Sequence, residues 1–417
     1  MGRFESRGAA AGLIGAIDLG TAKVGCLIAA PDAEGRLCLL GFGHQRSQGV
    51  KSGVIVSGDD AERAVRLAVG QAERMAGVAL ERVVIGVNCG RLRSATFTAR
   101  AAIRGTVVTG DDVDRIIAGG EAYARRAGQG IVQLTRTDWR LDEISGVPDP
   151  RGLAGRELRV QLTAITADEA PVRNLIGVLE RCHLAVDGLT ASPFASAVAV
   201  TTAEERRGRV LVVDLGAGTT SMAAFAGGRL VYADGIPTGG HHVTFDIARG
   251  LGTSVAEAER IKTLYGTLIG APSDEREMIS YPGVGEESDA SLQVSKAGLR
   301  NIIGPRVETL LDLVADRLRS AGIAGSNTFD TVLTGGGSQL AGLDQVWKAR
   351  FGGMVRVGRS KSIGGMPGSL TSPAFATLVG LVLGEAAIEV KQRNSGPGGR
   401  CSVGYLGRVR AWVRESF

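Results

Sequence analysis

Cysteine is scarce in this 417-residue chain. The five present (Cys26, Cys38, Cys89, Cys182, Cys401) are scattered, odd in number and lack any C-x-x-C pair. That pattern argues against a disulfide framework and a zinc site, and a reducing cytoplasm fits. Of four histidines only His241 and His242 are adjacent, with no partner at ligand spacing, so they read as loop or helix-start residues. No apolar run approaches the roughly 20 residues of a membrane-spanning helix, and no secretory signal pattern is seen. The absence of G-x-x-x-x-G-K-[ST] excludes a P-loop ATPase. Neither Gly-rich turn offers G-x-G-x-x-G opening a first helix, as a dinucleotide fold would require. H-E-x-x-H and G-x-S-x-G are missing as well. Aromatics are only 4%, whereas glycine is abundant at 62 residues and hydrophobic residues make up 44%. This composition suits α/β layers joined by many tight turns, and the length allows two or more domains.

Two stretches stand out. Residues 209–221 read R-V-L-V-V-D-L-G-A-G-T-T-S. An unbroken Val/Leu run suits a strand buried on both faces. Asp214 then falls at the strand end, where such sheets place ligands. Glycines let backbone N–H groups approach an anion, so a polyphosphate with Asp214 facing its metal ion fits. A strand leading into a Gly-rich hairpin also fits this stretch alone. A second copy strengthens the ligand reading: 13–23 is L-I-G-A-I-D-L-G-T-A-K, nearly half a chain earlier. That separation suits two homologous domains. A third Gly-rich turn, T-G-G-G at 334–337, follows another short apolar strand.

In chain order, 14–17, 24–29 and 36–43 read as strands. A helix over 59–75, capped by Asp59 with Glu62 three residues on, buries Ala61, Ala64, Val65, Ala68, Val69, Ala72 and Met75. From 83 the texture changes: a short strand at 83–87, a β-prone stretch at 97–108, a helix at 111–126, an exposed loop at 139–155 and a strand at 158–166. Residues 83–163 are therefore expected to be a small α+β domain inserted into the first half. Helices are expected at 168–182 and 192–200, a strand at 229–233, a helix from 243, and a capping box at Ser254 and Glu257. A polar loop over 273–291, a long buried helix over 303–318 and a last core helix over 372–389 complete the body. Gly380 inside that helix marks close packing.

The tail is the second informative region. Residues 391–402 read as a flexible linker. In 403–417, a helical period puts Tyr405, Leu406, Val409, Trp412, Val413 and Phe417 in one arc, with Arg408 and Arg410 flanking it and Arg414 beyond. Residues 391–417 hold six basic residues and one acidic, which accounts for the whole net charge of +5. The body is thus neutral, and no nucleic-acid surface is indicated. A Trp- and Arg-bearing amphipathic helix on a linker reads as an interfacial anchor for an anionic membrane surface. At about 1.5 Å per residue it is too short to cross a bilayer. A terminal helix docked on the body is the alternative.

Two facing D-x-G turns with a downstream T-G-G-G are similar to the actin-like ATPase superfamily. With the basic tail, the chain resembles the FtsA family of bacterial cell-division proteins over nearly its whole length. The resemblance is carried by I-D-L-G-T-A-K at 17–23, V-V-D-L-G-A-G-T-T at 212–220, A-E-A-E-R-I-K at 256–262, V-L-T-G-G-G-S-Q-L-A-G-L at 332–343, and the tail. It implies an α/β, actin-like fold of two duplicated lobes around a nucleotide cleft. The subdomains implied are 1A (1–82 and 164–200, with part of 372–390), 1C (83–163), 2A (201–242 and 301–390) and 2B (243–300). ATP and Mg2+ are the expected cofactors. Asp18, Gly20, Thr21 and Lys23 are expected on one side of the phosphates, and Asp214, Gly216, Gly218, Thr219 and Thr220 on the other. Asp18 and Asp214 are expected to hold the magnesium through water. Gly335, Gly336 and Gly337 should lie by the nucleotide, and Glu259 and Lys262 should reach the adenosine. No catalytic residue presents itself, so hydrolysis is expected to be slow or absent.

The implied partners are the FtsZ C-terminal peptide at 2B, further copies of the chain in filaments, and later divisome membrane proteins through 1C. The implied place is the cytoplasmic side of the inner membrane at the division site, where the chain tethers FtsZ. Alternatives are a PilM-like pilus-assembly adaptor, against which the tail argues, and a sugar kinase or phosphatase of the same superfold. The inserted segment argues against MreB.

Overall fold

The computed structural model describes residues 12–89, 91–125, 128–284, 291–323 and 329–394. β1 (Ile14–Leu19) and β2 (Lys23–Pro31) run antiparallel around the first Gly turn, and β3 (Leu37–Arg46) pairs with β2. A small hairpin follows, β4 (Val50–Lys51) and β5 (Val54–Ile55), then α1 (Gly58–Ala76). The small stripe of α1 is buried from Ala61 to Ala72 as its period requires, but Met75 is 59% exposed, because Ala76 takes the next inward position, against Gly41 of β3. The helix starts before Asp59. Its cap position is Ser57, whose hydroxyl donates to Asp60 at 2.7 Å. β6 (Arg82–Val87) then pairs in parallel with β1, inside the first sheet. The expected boundary at 83 is therefore corrected: this strand belongs to the first lobe, and the insertion follows it.

The inserted segment comprises β7 (Arg93–Ala102), α2 (Gly110–Ala124), β8 (Gln129–Leu141), β9 (Ile144–Val147) and β10 (Glu157–Asp168). The expected 139–155 loop is corrected in part, since it holds the end of β8 and all of β9, which pair as a hairpin. Its charged, Gly-rich sequence hid the strands: β9 is a short, exposed edge strand, and only Trp139 and Leu141 at the end of β8 are buried. α2 starts with a reciprocal cap: Thr109 accepts the Asp112 N–H at 3.3 Å, and Asp112 accepts the Thr109 N–H at 3.1 Å. Val113, Ile116 and Ile117 of α2 pack on Leu158, Val160 and Leu162 of β10.

α3 (Glu169–Arg181) leads to β11 (Ala185–Ala191), which returns to the first sheet beside β6. α4 (Ser192–Val200) and the single turn α5 (Ala203–Arg207) then carry the chain into the second lobe. There β12 (Arg209–Leu215), β13 (Thr220–Ala226) and β14 (Arg229–Ile236) meander around the second Gly turn. α6 (Gly240–Leu251) starts at the His pair, and α7 (Val255–Tyr265) is capped by Ser254, which accepts the Glu257 N–H at 3.1 Å. Glu257 itself turns to Arg260.

The expected polar loop 273–291 is corrected: β15 (Met278–Pro282) and β16 (Ser291–Ser295) form a hairpin. α8 (Lys296–Ser320) begins well before the expected 303, with Ser295 as its cap and Pro305 inside. The buried stripe extends one turn further back than expected, to Leu299. β17 (Asp330–Thr334), α9 (Leu343–Phe351), β18 (Val355–Val357) and α10 (Ala376–Asn394) complete the body. The last helix runs through 391–394, so the expected linker begins later than 391. Residues 395–402 and the tail lie outside the described residues.

The first sheet has the order β11-β6-β1-β2-β3. The second lobe repeats it as β18-β17-β12-β13-β14, with two parallel pairs followed by two antiparallel ones in each. The insert's strands, β7-β10-β8-β9, join the outer edge of β14 through one pair, Asp234 with Arg93. Val210 to Val213 are all buried, as the unbroken apolar run requires.

Candidate functional site

The repeated strands place the two aspartates in equivalent positions, and both line a cavity of about 570 Å³ between the lobes. Burial pushes the Asp18 carboxyl up to about 6. Asp214 opposite adds to the rise and Lys23 draws it back. Burial likewise raises Asp214, against the hydrogen bonds of Ser196 and Thr377 and the charge of Lys23. Lys23 is pushed down to about 8 by its own desolvation, with both carboxylates opposing the shift. The cavity thus holds two oxygen ligands short of positive charge. A hard divalent cation bound with phosphate suits such a donor set.

Hydroxyls from two helices fix Asp214. Ser196 of α4 donates to its Oδ2, and Thr377 of α10 lies 3.1 Å from the same oxygen and 2.9 Å from Ser196 Oγ. The two lobes meet at the Gly turns. Within the first lobe Thr21 Oγ1 accepts the Gly53 N–H at 3.0 Å, and across the cleft the Asn88 amide donates to Thr219 Oγ1. A Cβ on Gly218 would lie 2.4 Å from Thr21 Oγ1, so this glycine serves the contact between lobes as well as any bound anion. Asn88 Oδ1 and Ser192 Oγ are buried at the cavity wall with no protein partner, leaving polar atoms for a ligand or its waters to satisfy.

The opposite wall is built by the second lobe. Lys262 Nζ donates to Glu259 at 2.7 Å, to Thr244 Oγ1 at 2.8 Å and to the Gly240 carbonyl at 3.2 Å. Glu259 is desolvated, yet its carboxyl is held below the usual range by the bonds from Lys262 and Thr244. Burial lowers His241 next to it, while Glu259 pulls it back up. Val307, Leu310, Leu340 and Leu343 supply an apolar floor beside Arg306, which pairs with Asp246. The glycines at 335–337 differ in role. Gly335 has φ +82, and a Cβ there would lie 2.2 Å from Asp214 Oδ1. A Cβ on Gly337 would meet the Leu215 carbonyl at 2.9 Å, whereas one on Gly336 has only Ala374 within 4 Å, at 3.9 Å.

Asp18, Gly20, Thr21, Lys23, Asp214, Gly216, Gly218, Thr219, Glu259, Lys262, Gly335, Gly336 and Gly337 therefore share one cavity. Thr220 does not. It is fully buried and its hydroxyl donates to the Thr238 carbonyl at 2.8 Å, because alternation in β13 turns it from the cleft. Sequence reasoning missed Asn88, Ser192 and Arg306, which come from segments carrying no motif, the buttresses Ser196 and Thr377, and the apolar floor, whose Leu340 and Leu343 lie within the 332–343 motif and whose Val307 and Leu310 lie on the long helix. The membrane-facing set at 405–417 lies outside the described residues. Among the described residues Cys26, Cys38, Cys89 and Cys182 are free thiols, and no helix is long and apolar enough to cross a membrane.

A family model described as cell division protein FtsA matches residues 211–380, and one described as the SHS2 domain inserted in FTSA matches 89–166. The latter agrees with an insertion that starts after β6. The chain is 36% identical over 419 residues to the cell division protein FtsA of Rhizobium meliloti strain 1021, covering 97% of this chain and 95% of that one. Among solved structures, the PilM-PilN type IV pilus biogenesis complex matches with a TM-score of 0.62 at 16% identity, covering 90% of this chain and 99% of that one. MreB5 of Spiroplasma citri bound to AMPPNP matches with a TM-score of 0.56 at 14% identity, covering 93% of this chain and all of that one. These structural likenesses bear on the fold alone, which is actin-like. On the full-length sequence identity, the chain belongs to the FtsA family of cell division proteins.

Proposed function

We propose that this chain is an actin-like, ATP-binding adaptor that assembles on the inner face of the cytoplasmic membrane and tethers FtsZ there. The observation that carries the nucleotide part is the pair Asp18 and Asp214, brought from two copies of one motif to a single cavity. Magnesium with ATP would supply the positive charge this pair lacks, and Asp18 and Asp214 would hold the ion through its waters. Lys23 and the backbone N–H groups of the two Gly turns would meet the phosphates. The apolar floor, with Glu259, Lys262 and Arg306 at its rim, would take the adenosine. The bound nucleotide then sets the angle between lobes, and with it the capacity to form filaments; turnover is slow. The 243–300 region is the proposed seat of the FtsZ C-terminal peptide, and the inserted segment that of later divisome proteins. The helix at 403–417 is the anchor, acting through many copies in a filament because one short helix binds weakly.

The test is co-sedimentation with anionic liposomes, with and without FtsZ and Mg-ATP. The chain should pellet with the liposomes, bring FtsZ with it, and lose both properties when 403–417 is deleted. Pelleting unaffected by the deletion would overturn the anchor. Absence of ATP binding by calorimetry would overturn the nucleotide reading.

A further inference from the structure

Lys23 opens β2 directly after the first phosphate turn, and its ammonium does not hang free. Nζ lies 3.5 Å from the centroid of the Phe375 ring, at cation–π distance. The ring is itself held. In the β2/β3 ladder Gly25 stands opposite His44 and Leu27 opposite Phe42. Phe42 and His44 stack at 5.3 Å, and Phe375 meets both edge-on, at 5.5 and 5.9 Å. Gly25 leaves room for Leu378 at the start of α10: a Cβ there would come 2.8 Å from Leu378 Cδ2. The neighbours of Phe375 are also tied to the cleft. The Gly335 N–H donates to the Pro373 carbonyl at 3.1 Å, and Thr377 reaches Asp214 at 3.1 Å. Residues 373–377, a short turn and the start of α10, thus touch a group from each of the three Gly-turn motifs: Lys23, Asp214 and Gly335.

We propose that Phe375 is a positioning residue of the nucleotide site, whose ring face holds the Lys23 ammonium at the cavity wall ready to meet a polyphosphate. The proposal rests on the nucleotide reading above. A lysine is a point charge on a flexible four-carbon stem, with three donors that one ring face does not satisfy. Held on the ring, it faces an incoming phosphate without first losing its rotational freedom, and preorganisation of this kind appears as affinity.

The test is calorimetric titration of the full chain with Mg-ATP and, separately, with adenosine. Phe375→Leu should weaken ATP about tenfold, within the range of a desolvated cation–π contact, and leave adenosine unchanged. Phe375→Tyr and Phe375→Trp, which keep an aromatic face, should stay within about twofold of the parent. In a Lys23→Met background Phe375→Leu should cost nothing further, as a residue acting only through Lys23 requires. Should Phe375→Leu fail to fold, Phe375→Met is read in its place. Equal loss of ATP and adenosine, or an undiminished loss in the Lys23→Met background, would overturn the positioning role while leaving the nucleotide reading intact. A parent chain that binds no ATP would overturn both.

Discussion

Asp18→Asn should stabilise the protein in the absence of nucleotide while abolishing its response to Mg-ATP. The carboxyl of Asp18 is pushed up from 3.8 to about 6, by burial first and then by Asp214. A folded-state value above the unfolded one means the folded chain holds its proton longer. As pH rises from 3.8 to 6, the unfolded chain ionises first and the folded state loses relative stability; above 6 the loss is complete. A shift of this size corresponds to about 3 kcal/mol at 1.36 kcal/mol per unit. Lys23 loses an attractive partner in the variant, which takes back part of the gain, so a net of about 1–3 kcal/mol is expected at pH 7.5. For a domain of 150–250 residues each kcal/mol moves Tm by roughly 2–4 °C. Thermal unfolding of parent and variant side by side, at pH 7.5 and near pH 4, measures this directly. The gain should be several degrees at the higher pH and shrink towards zero at the lower one. Mg-ATP should raise Tm of the parent alone. A variant no more stable than the parent at pH 7.5, or a gain undiminished near pH 4, would refute the reasoning.

Gly335→Ala should destabilise the second lobe by roughly 1–3 kcal/mol and lower nucleotide affinity, because its backbone lies in a glycine-only region and its Cβ would strike Asp214. Gly336→Ala, which meets only Ala374, should leave Tm unchanged, and Gly336→Val should show its effect in nucleotide titrations alone. Gly380→Ala should cost about 1–3 kcal/mol in denaturant unfolding, since its Cβ would lie 1.8 Å from the Ala195 carbonyl and force α4 and α10 apart. Trp412→Glu should release the chain from liposomes by charging the apolar arc. Arg410→Ala should cost only about 1 kcal/mol at an anionic surface, an effect that added salt reduces.

The centre of the molecule was legible because its chemistry and its periodicity coincide. The runs ending at Asp18 and Asp214 are buried strands whose glycines and carboxylates share one cavity. The stripe of α1 emerged with one change, at Met75. Gly380 was read as a close contact and is one. The rim was harder. β8 mixes buried Val132, Trp139 and Leu141 with polar and charged residues such as Gln133, Arg136, Asp138 and Arg140, and so it carries no clean apolar period. The β15–β16 hairpin likewise buries little beyond Ile279 and Tyr281. Side chains that reach the cleft from motif-free helices, such as Arg306 and Thr377, become visible only when the fold brings distant segments together. Thr220 shows the converse: a residue of the right chemistry in the right motif, turned away by strand alternation.

The inserted segment has two allegiances. Its chain leaves and re-enters the first lobe, after β6 and before β11, yet its sheet is an extension of the second lobe's. The join is narrow: one ladder pair between Arg93 and Asp234, the Ala233 N–H on Ser94 Oγ, Thr163 on the Leu230 carbonyl, and Arg229 facing Asp138. Its roots are packed as well as bonded to the first lobe: Val132, Ile165 and Ala167 share the buried core of β1, β6 and α3, and the Ala191 N–H donates to Gln133 Oε1 at 3.3 Å. When the lobes turn, either the join shears or the insert swings with the second lobe and drags its own roots. In both cases a turn of one lobe against the other would be felt in the insert, whose strands lie outside the cleft.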